Sequence, residues 1–204
     1  MGTRSAVIIF QDGKAKGYYN QYDGYPSGVG TEVMKELKKI DKAKDGWKQF
    51  TKNLKKVKLV DESERPSAAV QKKYAKAGFY DERVSTRSTE DWYALLRELQ
   101  GAGYLKAIMS GEVQHMTNGT DFVKSSLFCE YAYVIDLDKM VIEFYRGFQH
   151  KSQPGNRFGM SQDDGYFPCA KIGQLVLSGI SKDERAVEIM NEVYEKANKE
   201  REEN

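Results

Sequence analysis

At 204 residues and a formal net charge of +2, the chain has the length of one domain and no general attraction for polyanions. Its 13 tyrosines and 9 phenylalanines exclude a disordered chain, which would lack the apolar mass for a core. No apolar run approaches the ~20 residues that cross a bilayer, and the Ala6–Phe10 run is too short for a secretory leader. Ala6 also stands where a myristoylation signal needs Ser or Thr. Cys129 and Cys169 form no Cys-x-x-Cys, so the reading is a cytosolic chain with two reduced, buried thiols.

The first element is a hairpin. Ser5–Phe10 is rich in β-branched residues, Asp12-Gly13 supplies a two-residue turn, and Lys14–Tyr22 returns. With that turn, Gln11 pairs with Lys14, Phe10 with Ala15, Ile8 with Gly17, Ala6 with Tyr19 and Arg4 with Gln21. Alternation then puts Arg4, Ala6, Ile8, Phe10, Tyr19, Gln21 and Asp23 on one face, read as the core face, and Val7, Ile9 and Tyr18 on the other.

A glycine-rich loop follows, from Asp23 to Gly30, with Thr31 as the cap of a helix striped by Val33, Met34, Leu37 and Ile40. A second helix is expected over 45–59, with Trp47, Phe50, Leu54 and Val57 on one side and lysines on the other. Pro66 breaks this region, and a short helix over 67–77 stops at Gly78. The lysine-rich segment reads as a helical insertion at about 41–80 within a single domain. Ser88–Asp91 resembles a capping box for a helix carrying Trp92, Leu95, Leu96 and Leu99 to Gly101. Segments 125–137 and 140–148 flank Asp138-Lys139 as a second hairpin. The polar stretch 149–165 is expected to be a mobile loop, 167–177 a last strand, and Ser181–Glu184 the capping box of a final helix fraying beyond Lys199. The expected fold is α+β: an antiparallel sheet of about five strands, helices on one side, and the lysine-rich insertion.

Candidate chemistry is sparse. Gly28-Val29-Gly30-Thr31 between strand and helix is a place where backbone N–H groups can meet an anion, but neither a Walker ending nor Gly-x-Gly-x-x-Gly is present, and no cofactor is called for. His115 and His150 each begin a His-x-Ser/Thr triplet, the signature of two-histidine phosphoesterases. Asp136 and Asp138 share a strand face that, with Glu143, has the chemistry for magnesium, although carboxylates flanking a turn are the plainer reading. An N-terminal nucleophile would need cleavage before Thr3. The lysine-rich helix is adjoined by Asp61, Glu62 and Glu64, which argues against nucleic acid as its partner.

Met1-Gly-Thr-Arg-Ser5, Gln21–Pro26 with Gly28 and Gly30, and Glu130–Asp138 together resemble a family of phage, bacterial and fungal proteins that open Met-Gly-Thr-Arg and carry Trp-Asp-Gly-Tyr-Pro. Tyr22 and Tyr131 stand here where that family has Trp, which keeps an aromatic ring. The resemblance covers the first 30 residues and the 128–147 hairpin. It implies a shared fold and a phage setting, and transfers no catalytic residue. The hairpin register gathers Arg4, Gln21 and Asp23 from these motifs at one end. They read either as a structural ion pair pinning the N-terminus or as a polar pocket completed by Tyr25, Gly28, Gly30 and Thr31. The expected function is a non-enzymatic binding protein, phage-encoded and acting in the host cytosol on a host or defence component. It would take a small anionic, nucleotide-like metabolite or a host protein. The alternative is a hydrolase of the two-histidine or N-terminal-nucleophile type.

Overall fold

A computed structural model of the chain describes residues 2–83 and 88–202. A five-stranded sheet in the order β2-β1-β5-β6-β7 forms its centre. It is built from β1 (Ser5–Gln11), β2 (Lys14–Asn20), β5 (Tyr131–Asp136), β6 (Val141–Arg146) and β7 (Ala170–Val176). A parallel two-stranded ladder joins β3 (Lys58–Val60) to β4 (His115–Thr117). The helices are α1 (Thr31–Lys42), α2 (Gly46–Leu54), α3 (Ala68–Lys76), α4 (Trp92–Leu95), α5 (Gly103–Ser110) and α6 (Ala186–Glu202). The architecture is α+β.

The hairpin register is the one the Asp-Gly turn dictates: Phe10 faces Ala15, Ile8 faces Gly17 and Ala6 faces Tyr19. The sheet is mixed rather than antiparallel, because β1 lies parallel to β5 with Ser5 opposite Tyr131 and Phe10 opposite Asp136. That pairing makes β1 a central strand and buries both of its faces. The main core lies on the face opposite to the one expected. Val7, Ile9 and Tyr18 join Val33, Leu37, Tyr133 and Phe144 beneath the helices. Ala6 and Ile8 enter a smaller cluster with Val134, Tyr145, Cys129 and Cys169. Both cysteines are free thiols and fully buried.

The lysine-rich segment shares the main core through Phe50, Leu54, Val57 and Tyr74. The helix expected over 45–59 ends at Leu54, and the following residues leave it for the β3–β4 ladder. Lys16 Nζ donates to the carbonyls of Leu54 (2.7 Å) and Val57 (2.5 Å), which ties β2 to the chain leaving α2. The predicted helix at 92–99 is a single α-turn followed by a 3-10 turn. Its cap is Asp91, which accepts from Ala94 N. The expected capping box at 181–184 does not open the helix: Ile180–Lys182 form a 3-10 turn, and α6 starts at Ala186. α6 continues to Glu202, and the last two residues of the expected frayed tail lie outside the described residues. No helix among the described residues is long and apolar enough to cross a membrane.

Segment 149–165, expected to be mobile, is pinned across the second face of the sheet. The Gln153 carboxamide exchanges hydrogen bonds with both backbone groups of Lys171, each at 2.8 Å, and Asn156 donates to Cys169 O. Phe158 is buried against Tyr145. Arg157 bridges Asp136 (2.8 Å) and Glu143 (2.9 Å), both 3 % exposed. Composition marks such a stretch as loop, but side-chain amides that imitate a neighbouring strand hold it in place.

Candidate functional site

The three motif segments meet at the end of the sheet opposite the Asp12-Gly13 turn. The parallel pairing sets Arg4 beside Glu130: Glu130 N donates to Arg4 O (3.1 Å), and Arg4 N donates to Glu130 Oε1 (3.4 Å). Gly24 N donates to Thr3 O, and the buried Tyr133 hydroxyl donates to Gly24 O, each at 2.9 Å. A Cβ on Gly30 would lie 2.7 Å from that hydroxyl, so the glycine is required by close approach to Tyr133.

These contacts sort the predicted residues into two groups. Gly28, Gly30 and Thr31 form a wide helical turn over Pro26–Gly30 that leads into α1. The N–H groups of Gly28 to Thr31 are satisfied within the turn and its approach. Gly28 N and Gly30 N donate to Tyr25 O, Val29 N donates to Asp23 O, and Thr31 N donates to Pro26 O. Thr31 Oγ1 donates to Pro26 O at 3.0 Å instead of capping the helix. Tyr25 is exposed, and its hydroxyl donates to Asp23 Oδ1 (3.2 Å). That bond to a carboxylate, with the negative charge beside it, raises the phenol above its ordinary pKa.

Arg4 and Gln21 line an open cleft of about 880 Å³ with Gly2, Thr3, Tyr22, Leu127, Phe128, Glu130 and Phe148. Asp23 is not in it. The strand ends at Asn20, and Asp23 takes a positive φ of 54°, which carries its side chain past Tyr22. There it borders a smaller hollow of about 220 Å³ with Glu32, Arg97, Glu98 and Gln100. Arg4 and Asp23 border different hollows, and no ion pair joins them. Tyr22, 56 % exposed, is the wall between the two hollows. Arg97 lies 5.2 Å from the centre of its ring and donates to Gln100 Oε1, which also accepts from Gln21 N (3.0 Å).

Among the described residues no carboxylate pairs with the Arg4 guanidinium, which lies 4.8 Å from the centre of the Phe128 ring. Phe128 is itself 37 % exposed. Phe148 borders the cleft with a φ of 57°, a left-handed conformation that costs a bulky residue on the order of 1 kcal/mol or more and that clusters at binding sites. Arg146 backs this wall: it lies 5.4 Å from the Phe148 ring centre, and Nη1 donates to Glu130 O (2.6 Å). Sequence reasoning missed Phe128, Glu130 and Phe148 as site residues. Their place follows only from the parallel pairing of β1 with β5, and the one signal for it was that the two resembling segments lie in separate parts of the chain.

The remaining candidates are not assembled. The His115 Nδ1 meets the Tyr74 hydroxyl at 2.8 Å, and its ring stacks on Trp92 beneath the helices. Tyr74 Oη also accepts from Gln114 N (2.9 Å). Burial, with Lys58 and Lys73 nearby, lowers the His115 pKa. His150 stacks on Tyr166 in the loop across the other face and shares no partner with His115. Asp136 and Glu143 converge on Arg157, while Asp138 turns away to accept from Asp12 N (2.8 Å) and Gly13 N (2.9 Å). No group of three or more metal-ligating side chains exists among the described residues. Thr3 is engaged through its carbonyl by Gly24. Comparison with family models, curated proteins and solved structures returned no match.

Proposed function

We propose that the chain is a binding protein that takes a small ligand with an anionic group and a planar ring, of nucleotide type, in the Arg4–Phe128 cleft. The observation that carries this reading is an arginine with no carboxylate partner, supported on an aromatic ring at the mouth of the cleft. Its volume is in the range of small-molecule sites, ~300–1,000 Å³. Arg4 supplies a planar set of donors for a phosphate or carboxylate. Tyr22, Phe128 and Phe148 supply faces for a ring, and the Gln21 carboxamide supplies polar orientation. With the phage setting that the motif resemblance implies, the role is capture of a host or defence metabolite in the host cytosol.

Native mass spectrometry of the purified protein, followed by denaturation, tests this. A released nucleotide or related anion that is absent from Arg4→Gln protein supports the reading. A clean mass, with no binding of nucleoside mono-, di- or triphosphates by calorimetry, refutes it. The exposed aromatics Tyr22 and Phe128 favour one second reading, a host protein docked on the same rim. A pull-down abolished by Phe128→Ser would support that reading.

A further inference from the structure

Residues 35–58 contain ten lysines, three acids and no arginine, a net +7 against −5 for the rest of the chain. The structure turns that excess into two stripes. Lys35, Lys39 and Lys42 recur at i, i+4, i+7 on α1, opposite its buried Val33, Leu37 and Ile40. Lys48 and Lys52 on α2, with Lys55 at its C-cap, repeat the spacing opposite Phe50 and Leu54. All six are exposed, and α1 packs directly against α2. Each stripe runs about 10 Å along its helix, and packed helix axes lie ~8–10 Å apart.

Two of the six lysines are paired, and the exposed Glu32 and Asp45 form no ion pair among the described residues. Glu36 pairs with Lys39 and Asp12 with Lys55. Asp41 is taken up by Trp47 Nε1, Gly179 N and Ser181. Among the described residues Lys35, Lys42, Lys48 and Lys52 have no ion pair. A solvated helix face ordinarily alternates Glu with Lys at i, i+4, because like charges at that spacing repel. The acidic run Asp61–Glu64 falls outside the stripes: it follows β3, where Asp61 and Glu62 border a separate hollow with Leu59 and Asn118.

We infer that the α1–α2 face is a sequence-independent docking surface for the phosphate backbone of a duplex nucleic acid. The chemistry selects this partner over others. Lysine is depleted from protein–protein interfaces but is a standard phosphate contact. A single strand would be held by exposed aromatic platforms, and these stripes present none. Trp47 is half-buried, with its Nε1 donating to Asp41. A membrane surface would be met by an apolar edge beside the lysines, and the apolar residues of both helices face the core.

The test is fluorescence anisotropy with a labelled 20-base-pair DNA of arbitrary sequence, titrated from 50 to 200 mM salt. Contact by six lysines predicts a log–log salt slope near −5 and a loss of affinity of roughly a thousandfold across that range. Combined Lys48→Gln, Lys52→Gln and Lys55→Gln substitution lowers the slope to roughly −3, with unchanged circular dichroism, while Arg4→Gln protein binds like the original and so separates this surface from the cleft. The inference is overturned by no binding at 50 mM salt, by an unchanged slope in the triple variant, by tighter binding of the single strand, or by capture on phosphatidylserine vesicles without binding to the duplex.

Discussion

Arg157 and Arg4 each lie over a phenylalanine, 4.5 Å from the centre of Phe10 and 4.8 Å from that of Phe128. Their surroundings differ. Arg157 closes a network on the second face of the sheet, where Asp136 and Glu143 accept from it, Tyr145 Oη donates to Glu143 (3.1 Å) and Lys171 Nζ completes Glu143 (2.8 Å). Arg4 has the same stem and the same stacking, but no carboxylate on its guanidinium among the described residues. A satisfied buried ion pair fixes a loop, whereas a guanidinium left open at a cleft is free to meet something from outside. Residue type and aromatic contact are alike at the two places, and the partners decide the role.

The sharpest way to break this comparison is to remove Arg157. Arg157→Met leaves two nearly buried carboxylates short of a counter-charge and should cost about 3 kcal/mol in urea unfolding. A loss below 1 kcal/mol would mean that the network does not hold the loop. Asp41 gives the same test on a carboxylate. Burial raises its pKa, but hydrogen bonds from the Ser181 hydroxyl and amide, Trp47 and Gly179 outweigh that and hold it at about 2, against an ordinary 3.8. The folded value is the lower one, so the stabilisation is complete well above pH 3.8 and disappears as pH falls through about 2. Asp41→Asn should therefore cost about 1.5 kcal/mol at pH 7, and the gap to the original protein should close between pH 4 and 2. A gap constant with pH would assign the loss to packing.

Tyr145→Phe removes one hydrogen bond from Glu143 and is expected to cost about 1 kcal/mol, read as a shift in the thermal midpoint. Arg4→Gln sits at the other extreme, within about 0.5 kcal/mol of the original in stability while abolishing ligand capture. A large destabilisation there would make Arg4 a structural residue like Arg157.

Local pattern carried part of this architecture. The Asp12-Gly13 turn fixed the β1–β2 register, and the apolar period of α1 named all four of its buried residues. What was not legible is non-local. Nothing in Ser5–Gln11 says that its second partner is Tyr131–Asp136. Without that partner, one face of the hairpin has to be chosen as core, and the richer-looking Ala6, Ile8 and Phe10 face proved to be the minor one. The site was half-legible for the same reason. Arg4 and Gln21 share a cleft as the register implied, whereas Asp23 turned away once the strand ended, and Phe128 and Phe148 came from the chain flanking β5 and β6.

The parallel β1–β5 pairing also has a consequence for synthesis. Ser5 waits for Tyr131, 126 residues later, so at ~5–20 residues per second a ribosome takes roughly 6–25 s between making the two strands. Through that interval β1 has only its hairpin partner, and such a pair is barely stable alone. It shows an open edge, with Val7 and Ile9 on one side and Ala6 and Ile8 on the other. Any nascent or cut chain that stops short of residue 131 carries this double-sided apolar strand without its cover, the form of β-structure most prone to pair with a neighbouring chain.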